Sequence, residues 1–298
     1  MNDGQITARL IFGAVDFQNH PYKNKTGRGV MTVRAGDVEN LCIQQFEDGE
    51  RYEFVDALAV ESAATIIVNG QEVATLVCSP SNLRYLAVGF LLSEGLIRDG
   101  RNIKEVVVGE GTVPVPINVT ADAQLSPRLP AGSLELTSGC GKGSLFAGTI
   151  PKMPDRIKSN LTVSFEQVFN ATRAFHRSPS VYRETGGVHG AALSNGTELL
   201  VFMEDVSRHN AVDKVLGACL FGNIPLTDRL LLTTGRISSD LVLKAARLGL
   251  PVVISKSAPT TLAVKVACDL GVTLVGFVRG KRMNVYTHPQ RVTGGKRE

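Results

Sequence analysis

A cysteine set among glycines is the first place in this 298-residue sequence where chemistry could occur. In Ser138-Gly139-Cys140-Gly141-Lys142-Gly143 the glycines expose the sulfur and free backbone N–H groups to face it, while Lys142 adds positive charge. All three favour the thiolate, which is the nucleophilic form of cysteine. A tolerated loop cysteine is the other reading of the same residues. Cys42, Cys78, Cys219 and Cys268 lie in apolar or regular contexts and read as small buried side chains. Five widely spaced cysteines with no Cys-x-x-Cys pair argue against a disulfide framework or a metal knuckle.

A second concentration is residues 204–214 (EDVSRHNAVDK), where acids, an arginine, a histidine and an asparagine precede an amphipathic run at a density that capping alone does not need. His209 could exchange protons near neutral pH, and Asp213 with Lys214 reads as a surface pair. His189, in the glycine-rich loop GGVHG, is a second such histidine; either could instead be structural. Two further loops, Thr233-Thr234-Gly235-Arg236 and Ser255-Lys256-Ser257-Ala258-Pro259-Thr260, each leave a strand and enter a helix. Backbone N–H groups, hydroxyls and a guanidinium there could surround a phosphate, or the hydroxyls could simply cap helices. From Phe277 onward six basic residues, Arg279, Lys281, Arg282, Arg291, Lys296 and Arg297, face one acid, Glu298. That is an anion-attracting stretch or a solvated tail.

The elements that would position these groups fall into two halves. Residues 1–55 show no sustained periodicity. Residues 63–68 and 72–77 flank Asn69-Gly70, a hairpin signal. Ser81-Asn82 is placed to cap a helix over 83–93, with Gly95 ending it. Prolines near 150–156 suggest a boundary, dividing the chain into 1–150 and 151–298. The second half alternates helices near 165–176, 210–221, 239–248 and 260–270 with strands near 186–193, 199–204, 229–233, 252–255 and 273–278. That order implies a three-layer α/β sandwich with partly parallel strands, whose ligands bind beyond the strands' carboxyl ends.

A hydrophobic share of 43% and a net charge of +4 are ordinary for a soluble globular chain and do not argue for nucleic-acid binding. With neither a secretory leader nor an apolar run near the roughly 18 residues of a membrane span, the expected location is the cytoplasm.

The runs TGGVHGAA (185–192), EDVSRHNAVDK, TGRIS (234–238), SAPT (257–260) and GFVRGKRMNVY (276–286), with the Cys-Ser-Pro and GFLLSEG pieces of the first half, resemble the FdhD formate dehydrogenase accessory proteins over about residues 60–290. The resemblance implies a sulfur carrier with sulfurtransferase activity. It would accept sulfur from a cysteine desulfurase of the IscS type and pass it to the molybdenum cofactor, bis(molybdopterin guanine dinucleotide), before insertion into formate dehydrogenase. It also implies a smaller N-terminal α+β domain, a cytidine-deaminase-like α/β/α domain and a homodimer. Cys140 maps to the sulfur-carrying cysteine, as a persulfide. Phe277, Val278, Arg279, Gly280, Lys281 and Arg282 map to the cofactor-binding stretch, with Thr234, Gly235, Arg236, Ser257, His189 and His209 as further contacts. Gly143 stands where many members have a second loop cysteine, and Ser207 replaces a common glycine. A chaperone that holds the cofactor without covalent sulfur chemistry is the alternative function. A zinc-dependent deaminase is disfavoured because its C-x-x-C and H-x-E ligand pattern is missing.

Overall fold

The computed structural model describes residues 36–97, 100–122 and 153–294. It opens with a two-stranded ribbon, β1 (Val38–Glu47) and β2 (Glu50–Ala59), turned at Asp48 and Gly49 with φ of 54° and 83°. Asp-Gly accepts the two positive φ values of a tight hairpin turn. The strands themselves are too polar to show a clean alternation, which is why the sequence reading missed them.

The expected hairpin follows as β3 (Ser62–Val68) and β4 (Gln71–Cys78), turned at Asn69 (φ 48°) and Gly70 (φ 83°). After α1 (Leu83–Ser93), strands β5 (Ile103–Val108) and β6 (Val115–Ala121) complete a four-stranded sheet of order β4-β3-β6-β5. Helix α1 closes that sheet, burying Leu83, Leu86 and Leu91 in one core with Ile66, Ile117 and Val119. Asn82 precedes it in the left-handed region (φ 57°) and makes no side-chain cap, contrary to the expected capping role; its Nδ2 donates to Ser81 instead.

The second half contains β7 (Val163–Ser164), α2 (Phe165–Arg177), α3 (Val181–Thr185), β8 (His189–Ser194), β9 (Leu199–Asp205), α4 (Arg208–Phe221), β10 (Leu230–Thr233), α5 (Ser239–Arg247), β11 (Val252–Ser255), α6 (Thr261–Leu270), β12 (Thr273–Arg279), β13 (Arg282–Val285) and β14 (Val292–Thr293). Six of these strands form a mixed sheet of order β13-β12-β11-β10-β8-β9, in which β10, β11 and β12 run parallel. The parallel strands are short apolar runs because both faces are covered. Leu231, Val253 and Leu274 pack with α4, α5 and α6, whereas Leu230, Leu232, Val252, Ile254 and Val275 pack with Val168, Ala171 and Phe175 of α2.

The two halves meet where α1 crosses α4. A Cβ on Gly89 would sit 1.7 Å from the Asp213 carbonyl oxygen, and one on Gly217 would sit 2.0 Å from that of Tyr85. Only glycine permits backbones to approach so closely.

Candidate functional site

The parallel strands β10, β11 and β12 all end at one edge of the large sheet, and their outgoing loops meet there. Ser255 donates through Oγ to the Gly235 carbonyl at 2.7 Å, and the Phe277 N–H donates to the Ser257 carbonyl at 3.1 Å. Because β8 runs antiparallel to β10, its first residue reaches the same edge. The Gly190 N–H donates to Thr234 Oγ1, and His189 Nδ1 lies 3.1 Å from that hydroxyl. Thr234, Gly235, Ser257 and His189 therefore share one hydrogen-bonded frame, as anticipated for strand-end loops. Arg236 is exposed and lies outside the cleft described below. Thr260 accepts from the Ala263 N–H and caps α6, so the simpler reading holds for that residue.

Strand β12 breaks register between Gly276 and Arg279, and within the break Phe277 adopts a left-handed φ of 52°. Such strain in a non-glycine residue concentrates at functional sites. The break aims Val278, Arg279 and Gly280 into a cleft of about 660 Å3, while Lys281 and Arg282 are exposed at the turn beyond. The opposite wall is α2, which presents Phe169, Arg173, His176 and Arg177; Lys256 completes the lining between them. Among the described residues, no acidic side chain lines the cleft, and none of Arg173, Arg177, Lys256 and Arg279 is held in an ion pair. Burial, and then the Lys256 charge, lowers the pKa of His176. Burial likewise lowers that of His189, helped by Arg208 and Lys256. The α2 residues were missed in the sequence. The available signal was Arg173 with His176 and Arg177 at i, i+3 and i+4, spacings that share one helical face.

The run 204–214 has a different role from the one its composition suggested. Asp205 is fully buried; its Oδ2 accepts from the Ser79 N–H at 3.1 Å and lies 2.7 Å from Lys214 Nζ. Lys214 also donates to the Ser79 carbonyl, and Asn210 donates to the Val77 carbonyl. Asp213 faces away, accepting from Lys244 at 2.7 and 2.9 Å and from Ser93 Oγ at 2.7 Å. Asp213 and Lys214 are thus not a surface pair. Each is buried with its own partner, and together they fasten the second half to β4 and α1. Burial opposes the charge on Lys244, but the Asp213 and Glu94 carboxylates outweigh it and hold the lysine above its ordinary pKa. Glu204 takes the backbone N–H groups of Ser180, Val181 and Tyr182 and so caps α3.

At the start of α4, Arg208 packs against Gly235, where a Cβ would lie 2.7 Å from the arginine Cδ. Ser207 Oγ is buried without a partner. Burial, then the Lys244 and Arg208 charges, press the His209 pKa down to about 3, so this imidazole carries no charge near neutral pH.

Cys140 and Lys142 lie outside the described residues, as do Lys296 and Arg297. Cys78 and Cys219 are the buried thiols expected, each pushed up to about 12 by burial. Cys42 is only partly buried and Cys268 is exposed, correcting the reading of both as core side chains; α6 turns Cys268 outward. Arg291 is no part of a basic tail, since it is buried and donates to the Gly271 carbonyl and Thr273 Oγ1.

These features define a mixed α/β protein with a basic, ligand-sized cleft at the carboxyl ends of its parallel strands. The chain belongs to the FdhD/NarQ family, which it matches over residues 59–293. It is 38% identical over 252 residues to the proteins named sulfur carrier protein FdhD from Staphylococcus aureus strains MRSA252 and Newman, an alignment covering 84% of this chain and 94% of theirs. Among solved structures it resembles a candidate formate dehydrogenase accessory protein from Desulfotalea psychrophila, with a TM-score of 0.72 and 30% identity, covering 86% of this chain and all of the other. No helix among the described residues is long and apolar enough to cross a membrane.

Proposed function

We propose that this protein is a cytoplasmic sulfur carrier, a sulfurtransferase that matures formate dehydrogenase. The observation that carries the reading is its 38% identity, over most of both chains, to relatives named sulfur carrier protein FdhD. In this reading the Cys140 thiolate attacks the terminal sulfur of a persulfide on an IscS-type cysteine desulfurase. A new S–S bond forms to Cys140, the desulfurase S–S bond breaks, and the desulfurase cysteine leaves as a thiolate. Lys142 and loop N–H groups favour the attacking anion.

The sulfur then passes to bis(molybdopterin guanine dinucleotide), a client cargo gripped by 151–298, which we take to have the layering of the cytidine deaminases without their zinc chemistry. The basic cleft supports this: Arg279 from the stretch Phe277 to Arg282, with Lys256 and the α2 arginines, suits a ligand bearing several phosphates. The N-terminal unit, 1–150, carries the cysteine. A homodimer fits the exposed apolar side chains of the β1–β2 ribbon, where Phe46 is 73% and Phe54 44% exposed.

Intact-protein mass spectrometry after incubation with a cysteine desulfurase and cysteine tests the reading. The expected result is an adduct of about 32 Da on the wild type that is absent from Cys140→Ala. Gly143, in the place of a second loop cysteine, keeps one other function open: a chaperone that binds the cofactor without covalent sulfur transfer. No adduct on the wild type, with cofactor binding retained, selects that reading.

A further inference from the structure

His189 is not among the residues that line the cleft, and it points to the other face of the large sheet. Side chains alternate along β8, where Ala191 and Leu193 pack into the core beneath α4. A Cβ on Gly190 would instead meet Phe175 and Phe202, on the α2 side. His189 shares the parity of Ala191, so its imidazole stands on the α4 face, near enough to Arg208 and His209 to feel the one and act on the other.

Its Nδ1 has a fixed partner. The Thr234 N–H donates to the Gly190 carbonyl at 3.0 Å, and the Gly190 N–H donates back to Thr234 Oγ1 at 3.1 Å, so two bonds hold the threonine beside the histidine. His189 Nδ1 lies 3.1 Å from the same hydroxyl oxygen. A threonine hydroxyl has one proton to give and two lone pairs to offer. The Gly190 N–H takes one lone pair. If an Nδ1–H took the other, the hydroxyl proton would have no acceptor among the described residues. If the hydroxyl donates to Nδ1, both are satisfied and the ring proton sits on Nε2. The tautomer of a neutral histidine is set in this way, by the bond its other nitrogen makes. Burial, with the Arg208 and Lys256 charges, opposes a second proton on the ring.

We infer that Thr234 is a positioning residue that holds His189 as the neutral Nε2–H tautomer, so that His189 meets the ligand as a hydrogen-bond donor only. The ligand part of this inference rests on the cofactor-binding reading and deepens it by giving the histidine one role. The matching ligand atom is an acceptor, such as a carbonyl oxygen or an unprotonated ring nitrogen, because Nε2–H has no lone pair to offer a donor. The same arrangement removes His189 from proton chemistry. With Nδ1 committed to Thr234 and Nε2 already protonated, the ring has no free lone pair with which to take a proton from a thiol. The sulfur step therefore draws no base from this residue.

Nitrogen NMR of the full chain carrying isotope-labelled histidine, near neutral pH and without ligand, tests the tautomer; the His189 signals are those lost in His189→Gln. The expected spectrum shows an unprotonated Nδ1 and a protonated Nε2. Thr234→Ser, which keeps the hydroxyl, should preserve it, and Thr234→Val should mix the two tautomers, with thermal melts confirming that both variants are folded. A protonated Nδ1 in the wild type overturns the inference, and a spectrum unchanged in Thr234→Val overturns the role of Thr234. Calorimetric titration with GDP then tests the donor. His189→Gln, whose neutral amide can donate from near the Nε2 position, should bind within about twofold of wild type, and His189→Phe about fivefold more weakly. GDP bound equally by wild type and His189→Phe overturns the donor role. Wild type that binds no GDP overturns the cofactor reading and the donor role with it, while the tautomer spectrum still decides Thr234.

Discussion

The seam between the two halves and the cleft at the strand ends treat charge in opposite ways. At the seam, Asp205 and Lys214 form one buried pair and Asp213 and Lys244 another, each completed by hydrogen bonds from the first half. In the cleft, Arg173, Arg177, Lys256 and Arg279 stand together with no acid among the lining residues. A buried charge without a partner costs several kcal/mol, so the seam charges must be answered within the fold. Cleft charges keep contact with water and can wait for a ligand. The difference separates two uses of charged residues that look alike in the sequence.

The sharpest way to break this comparison is to remove one seam partner. Asp213→Ala leaves Lys244 near Glu94 alone and should cost about 3–5 kcal/mol in denaturant unfolding. Replacing Asp213 and Lys244 by Leu and Met, with Glu94→Gln to neutralise the buried carboxylate that Lys244 also pairs, should recover much of that loss. A cost below about 1 kcal/mol for the single change would mean that the seam charges are as dispensable as surface ones. Gly89→Ala comes next. Its Cβ meets the Asp213 carbonyl at 1.7 Å, so α1 and α4 must separate, at about 1–3 kcal/mol or more.

A pH titration of stability sharpens the contrast further, because His209 lies between the two regions. Its folded pKa of about 3 is below its ordinary 6.5, so as pH falls below 6.5 the unfolded chain binds a proton that the folded chain refuses. Stability should therefore drop between about pH 6.5 and pH 3, with a contribution of at most about 1.4 kcal/mol per pH unit, and level out beyond either end. Reading the slope as the difference between wild type and His209→Asn removes the carboxylates shared by both; equal slopes would refute the assignment. The smallest expected stability effect belongs to the cleft. Arg173→Gln should shift unfolding by no more than about 0.5 kcal/mol, because its exposed guanidinium answers no buried partner.

Much of the frame was legible beforehand. Asn69-Gly70 marked its hairpin because only positive φ closes a two-residue turn. The apolar runs at β10, β11 and β12 marked buried parallel strands, and their outgoing loops meet at one edge as expected. The β1–β2 ribbon escaped notice although Asp48-Gly49 carries the same turn chemistry, because its flanking strands are half polar. Cys268 was misread because an apolar neighbourhood in sequence does not say which way a helical side chain turns.

What the sequence alone determined is local: the periods of helices and strands, the turns, and the motifs that mark the family. Partner choice was decided by the tertiary structure. Asp213 and Lys214 are neighbours in the chain, yet consecutive residues on a helix point about 100° apart, so one reaches α5 and α1 while the other reaches Asp205 and β4. Arg173 and Arg279 lie far apart in sequence and meet across one cleft because α2 and β12 pack on the same sheet. Spacing along a chain carries the first kind of information; only the folded backbone carries the second.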